Sequence, residues 1–164
     1  MRRALAALAL LTAPLPAAAQ LPEVGRMAPD IQLNVLGGGR ARLAELRGRP
    51  VVVNFWASWC TPCRSELPAI IEAYQTHRER GLAVLAVNLT DQEKRSDIQR
   101  FVAELQIPFP VLLDERGRTR RRYGLISLPT TVFVDSAGLV RGVHSGPITR
   151  RELSRGLAGM LTVP

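Results

Sequence analysis

Apolar and polar positions along this chain alternate between two periods. In "IQLNV", residues 31–35, apolar and polar side chains alternate singly, which predicts a half-buried strand, and Gly37-Gly38-Gly39 turns the chain after it. "LAELRG" makes a short helical turn that stops at Gly48. The near-continuous β-branched run "VVVNFWA", residues 51–57, suits a central strand covered on both faces. Beyond it Leu67, Ile70, Ile71 and Tyr74 recur at helical spacing, so a helix with one apolar face is expected, kinked at Pro68. "LAVLAVNL" reads as a second buried strand and "KRSDIQRFVAELQ" as a helix with Ile98, Phe101, Val102 and Leu105 inward. "FPVLLD" is a strand, and "RTRRRYG" a short basic helix closed by Gly124. "TTVFVD" and "LVRGVHS" form a hairpin through Ser136, Ala137 and Gly138. A last helix runs from about Thr149 to Met160, with Leu153, Leu157, Met160 and Leu161 inward. Strands alternating with helices predict an α/β domain with an antiparallel edge.

A length of 164 residues is one domain's worth of core. Its first part departs from the pattern. Arg2 and Arg3, an apolar run from Ala4 to Leu11, Pro14 and Pro16, and then Ala17-Ala18-Ala19 have the order of a secretory signal. Residues 1–19 are therefore read as a cleaved signal and 20–164 as the domain, exported to the periplasm. An N-terminal core helix and an uncleaved membrane anchor are the alternatives; two prolines disfavour the helix, and the run is short for a span. No cysteine follows the apolar run, so a lipoprotein is excluded.

Formal charge is +8, almost all of it arginine, with Lys94 the one lysine. Such an excess attracts acidic partners or an anionic membrane surface. Nucleic acid is not expected as a partner, because no binding motif is present. The arginines from Arg116 to Arg122 read as a solvated face that could also guide an acidic partner.

All the sulfhydryl chemistry lies in "NFWASWCTPCRSELP", residues 54–68. Two cysteines three positions apart close too small a loop to act as an entropic staple, so the pair is chemical rather than structural. Between a buried strand and a helix, Cys60 sits at the helix N-terminus, where backbone N–H groups and the helix dipole favour a thiolate. Pro62 suits the first helical turn, where its missing N–H costs nothing. Cys63, one turn in, is expected to be buried. Cys60 is therefore the attacking sulfur and Cys63 the resolving one. A zinc half-site lacks further ligands at a recognised spacing, His77 and His144 being the remaining candidates. A copper(I) site of the two thiolates and one histidine stays open.

Together with "YGLISLPTTVFVDSAGLV", the cysteine segment resembles the thioredoxin superfamily, and more closely its exported TlpA-like and ResA-like thiol-disulfide oxidoreductases. "VGRMAPDIQL" and "LAELRGRPVVVNFWA" extend the resemblance over about Val24 to Gly146. It implies a thioredoxin fold, a central mixed sheet flanked by helices, with an N-terminal extension and a helix-strand insertion around Arg95 to Val111. It implies a redox-active Cys60–Cys63 disulfide without other cofactor or metal, and reduction of protein disulfides, often in maturing c-type cytochromes. Apocytochromes c would then be among the substrates, a membrane thiol transporter the electron donor, and the protein a monomer. Pro129 aligns with the family's cis-proline, which would bring the Leu128 backbone beside Cys60 for a substrate chain to pair with; taken alone, it reads as a trans proline opening a strand. Trp59 and Pro62 would flank the same substrate. Where thioredoxin has a buried aspartate this chain has Asn54, which cannot exchange a proton, and Ser127 stands where the family often has glycine.

Glu66 lies one turn beyond Cys63 on the same side of the expected helix. A carboxyl near a buried thiol has a raised pKa and could take the proton of Cys63. It resembles the active-site glutamate of ResA-like proteins; a solvated helix residue is the plain alternative. Trp56 is expected to fill core, and His77 and His144 to be an ordinary helix and strand residue. A peroxiredoxin-like antioxidant enzyme is a further reading of "GRMAPDIQL", but the position three before Cys60 is Ala57 rather than threonine. A copper-binding assembly factor is the reading from another class.

Overall fold

The structure, a computed structural model, describes residues 21–161, so the proposed leader lies outside the described residues. One sheet of seven strands organises them. The strands are β1 (Gln32–Val35), β2 (Arg40–Arg42), β3 (Val51–Trp56), β4 (Ala83–Asn88), β5 (Val111–Leu113), β6 (Thr130–Val134) and β7 (Val140–Ser145). Their order across the sheet is β2-β1-β5-β4-β3-β6-β7. The helices are α1 (Thr61–His77), α2 (Arg95–Leu105), α3 (Arg118–Arg122) and α4 (Arg150–Leu161).

β3 and β4 are the centre. Every residue of both is buried, as their continuous apolar runs require. They pair in parallel, β4 pairs in parallel with β5, and β6 and β7 add antiparallel strands beyond β3. Alternation along β3 divides the core. Val52 and Trp56 face a cluster built with α1, α2 and α4, which includes Cys63, Leu67, Phe101 and Leu157. Val51, Val53 and Phe55 face a second cluster with Ile31, Leu43 and Tyr123. Trp56 is fully buried and stacks on Phe101 at 4.7 Å, filling core as its sequence position implied. The expected helix-strand insertion is present as α2 and β5.

One local feature departs from the sequence reading. Gly37–Gly39 do more than turn the chain: all three have positive φ, and they close a hairpin in which β2 pairs with β1. Three polar-flanked residues carry too weak a pattern to be read as a strand. Helix α1 runs from Thr61 to His77 through Pro68 without a break. Pro68 lies on its exposed side, where a carbonyl deprived of its i+4 donor is open to water.

Helix α4 closes over the sheet at Gly156, where an added Cβ would fall 2.3 Å from Cζ of the buried Phe133 ring. At Gly159 the same atom meets nothing within 4 Å. Each Gly→Ala change gains up to about 1 kcal/mol of helix propensity, but overpacking costs roughly 1–3 kcal/mol. Gly156→Ala is therefore expected to destabilise the protein by about 1 kcal/mol and Gly159→Ala to stabilise it slightly. Urea unfolding of both variants checks this, and equal midpoints would contradict the packing at Phe133.

Candidate active site

β3 delivers the chain to Trp56, and a tight connection brings Cys60 to the N-cap of α1, with the Cys60 N–H bonded to Ala57 O at 3.2 Å. Cys60 and Cys63 form a disulfide. Cys60 Sγ accepts the N–H of Cys63 at 3.3 Å, so a free amide of the first helical turn points at the first sulfur. That amide and the positive end of α1 favour a thiolate at Cys60 once the pair is reduced. Cys60 is 5% exposed and Cys63 0%. The outer sulfur can meet a second chain; the inner one meets only its own protein.

Beside Cys60 opens a groove of about 400 Å³ lined by Trp59, Pro62, Leu89, Arg120, Ile126 and Leu128 among others. Trp59 and Ile126 are 56% and 87% exposed, unusual for such large apolar side chains. The Leu128–Pro129 bond is cis, and Pro129 O accepts from Gly146 N at 2.8 Å. Ser127 does not have positive φ; its carbonyl accepts from Thr130 Oγ1 at 2.9 Å. The structure thus gathers Cys60, Trp59, Pro62 and Leu128 around one groove, with Pro129 buried next to Leu128.

Glu66 follows one turn further along α1. It is 3% exposed, so the solvated alternative does not hold. Asn54 Nδ2 donates to its Oε1 at 2.7 Å, and the Ile148 backbone N–H donates to its Oε2 at 2.8 Å. Asn54 Nδ2 also donates to Thr131 Oγ1 at 3.1 Å. Burial pushes the Glu66 carboxyl up to about 7, against the pull of the Ile148 and Asn54 hydrogen bonds and of His144. A second groove is lined by Ser65, Glu66, Pro68 and residues 147–150 among others. Asn54, which cannot itself exchange a proton, therefore acts on the site by holding the group that can. The Ile148 amide has no sequence signature, since any residue but proline supplies a backbone N–H.

One further residue escaped the sequence reading. Glu93, between β4 and α2, accepts the Ser58 N–H at 3.0 Å, the Ser58 hydroxyl, and Asn88 Nδ2 at 2.7 Å. It pins the connection that carries Trp59 and Cys60. Of the arginines after Arg116, Arg120 pairs with Asp91 at 3.0 Å and Arg122 donates to Asp30 O at 2.9 Å. His144 Nε2 lies 3.3 Å from Pro147 O, and His77 ends α1 half-buried. Among the described residues, no three His, Cys, Asp or Glu side chains group as metal ligands, and no helix is long and apolar enough to cross a membrane.

The chain matches the AhpC/TSA family over residues 24–143. It is 37% identical over 134 residues to the thioredoxin-like protein YneN of Bacillus subtilis, covering 81% of this chain and 78% of that one. With the thiol-disulfide oxidoreductase ResA of Geobacillus thermodenitrificans it shares 34% identity over 134 residues, 82% of this chain and 76% of the relative. The crystal structure of a Chlorobium tepidum protein assigned as a thiol:disulfide interchange protein DsbE superposes with a TM-score of 0.78 at 32% identity, covering 85% of this chain and 99% of that one.

Two expectations follow from the carboxylates. Because the folded-state pKa of Glu66 lies above the ordinary 4.5, the folded protein binds more protons than the unfolded one between those values. Stability associated with Glu66 is fully present below about pH 4.5 and lost as pH rises through about 7, a decline of order 3 kcal/mol. Glu66→Gln should flatten that slope; parallel slopes in urea titrations of the two proteins would contradict it. For Glu93→Ala, the Ser58 N–H and the Asn88 amide lose their acceptor, at a cost of about 1–3 kcal/mol. Hydrogen exchange at Ser58 should accelerate, and unchanged protection would mean that the clamp holds nothing.

Proposed function

Because the chain belongs to the AhpC/TSA family and is a thiol-disulfide oxidoreductase with the thioredoxin fold, we propose that it reduces disulfides of exported proteins, with Cys60 attacking, Cys63 resolving and Glu66 handling the proton. The observation that carries this reading is the buried Glu66 carboxyl, held one helical turn from the buried Cys63 and titrating at about 7. A base of that pKa is close to half ionised at neutral pH, where proton transfer in both directions is efficient.

In the reaction, the Cys60 thiolate attacks one sulfur of a substrate disulfide. A Cys60–substrate disulfide forms, the substrate S–S bond breaks, and the second substrate sulfur leaves as a thiolate. Cys63 then gives its proton to the Glu66 carboxylate and attacks Cys60 Sγ. The Cys60–Cys63 bond forms, the mixed disulfide breaks, and the other substrate sulfur leaves. The substrate has gained two electrons and the pair is oxidised, the state seen here. A dithiol donor restores it, and a membrane thiol transporter fits that part. Trp59, Pro62, Leu128 and Pro129 form the substrate platform, on which an extended chain adds alongside the Leu128 backbone.

The leader-like residues 1–19 support export to the periplasm with cleavage after Ala19. There a protein that resembles the ResA group serves the maturation of c-type cytochromes, so apocytochromes c are the substrates proposed. The Cys60–Cys63 pair needs no further cofactor for this chemistry, and a single copy suffices.

Cys63→Ser is expected to accumulate mixed disulfides through Cys60, because attack proceeds and resolution does not. Capture from an exporting cell should recover the partners, and adducts on Cys60→Ser instead would invert the two roles. In stopped-flow reduction of a model disulfide, Glu66→Gln should slow the resolving step about 10²-fold and the first attack less. A reduction potential near the thioredoxin value of about −270 mV supports the reductant assignment, and one near the DsbA value of about −120 mV would overturn it.

A further inference from the structure

Two of the three hydrogen bonds around Glu66 use one end of the Asn54 amide. Nδ2 donates to Glu66 Oε1 at 2.7 Å and to Thr131 Oγ1 at 3.1 Å, while Ile148 N donates to Oε2 at 2.8 Å. The other end, Asn54 Oδ1, is buried without a partner. The residue is 0% exposed, so bulk water does not serve that oxygen. This pattern suits a carboxylate, which only accepts. It does not suit the carboxylic acid, whose O–H requires an acceptor where Asn54 now presents a donor.

We propose that the Asn54 side-chain amide reverses end for end with the protonation of Glu66, making Asn54 the positioning residue that holds the carboxyl in one place in both states. After reversal, Oδ1 occupies the present place of Nδ2. It accepts the O–H of the neutral Glu66 and the O–H of Thr131, whose hydroxyl changes from acceptor to donor by rotating. The Ile148 N–H keeps its bond to Oε2 throughout. Two hydrogen bonds from the amide become two hydrogen bonds to it, and in each state one end stays unpaired. Reversal therefore leaves the number of bonds unchanged. An aspartate could do this only by holding a proton of its own, because the ionised side chain has no donor for the carboxylate state. A leucine could serve neither state.

The proposal rests on Glu66 being the proton acceptor, and it gives that residue a means of gaining and losing a proton without moving. Other ionisable groups on the neighbouring elements do not replace Asn54. β3 and β6 carry none. His144 on β7 acts on Glu66 at longer range. Arg150 on α4 pairs with Glu72 on α1, Arg64 pairs with Glu104, and Glu152 accepts from Thr149. Cys63 does not titrate in the disulfide form.

The test uses the oxidised protein, so it is independent of turnover. Isotope-labelled protein is followed by NMR from pH 5 to 9. The Glu66 side-chain carbon reports ionisation, and nuclear Overhauser contacts from the Asn54 Nδ2 protons report orientation. At pH 9 those protons should lie against the Thr131 side chain; by pH 5 that contact should be lost, with the midpoint of the Glu66 titration. In Glu66→Gln the new amide N–H₂ donates to Asn54 Oδ1 in place of the acid O–H, so the low-pH pattern should hold at every pH. A Thr131 contact that persists through the Glu66 midpoint, or that survives in Glu66→Gln, would overturn the reversal. If the orientation reverses as described while Glu66→Gln resolves mixed disulfides at the wild-type rate, the reversal stands and the catalytic role of Glu66 falls.

Discussion

A carboxyl group taken out of water is expensive, and the active-site half of this molecule is arranged around one. Glu66 lies between the sheet, α1 and the connection from β7 to α4. Burial of an isolated carboxylate is opposed by several kcal/mol. The protein meets that cost by raising the pKa towards 7 and by supplying two donors. Each donor comes from a different part of the chain, 12 residues upstream at Asn54 and 82 downstream at Ile148. The register that sets Asn54 opposite Thr131 fixes the amide, and the start of α4 fixes the Ile148 N–H. Helix α1 must begin where it does for position 66 to face the sheet. Its N-cap is Cys60, so the same helix origin sets the Cys60 sulfur and the carboxyl together.

What the sequence disclosed and what it withheld divide along this line. Periodicity placed β3, β4, α2 and α4 within a residue or two, and revealed the existence of α1, because these elements bury long, regular faces. The cysteine pair was legible because strand, CxxC and helix are local signals. Position 66 was legible as a candidate through its offset from Cys63, but its burial was not, since a lone glutamate on a helix is usually solvated. The partners of Glu66 and the Glu93–Ser58 clamp were invisible for one reason: each joins residues far apart in the chain through a backbone amide or a common side chain. β2 was missed because three residues, two of them arginines, carry no strand pattern.

Two separate grooves lie at the disulfide and at the buried carboxyl. The groove at Cys60 and the groove at Glu66 share no lining residue. A polypeptide lying over Trp59, Ile126 and Leu128 would cover the sulfur it reacts with and leave the surface along residues 147–150 open. On the reading proposed above, the proton of Cys63 would leave on the side of the second groove, which a chain docked over the first does not line.

The amide at position 54 belongs to the same division. Thioredoxin carries an aspartate there. In this chain an aspartate at 54 would set a second carboxyl at the 2.7 Å now spanned by an amide hydrogen bond. Two carboxylates so close cannot both ionise, so one would stay protonated and the pair would titrate jointly. Asparagine removes that coupling: the acid sits on the helix, one turn from Cys63, and the strand provides a neutral group. In the disulfide form the carboxyl and its strand partner then share a single titration, with a proton affinity set by burial and by two hydrogen bonds.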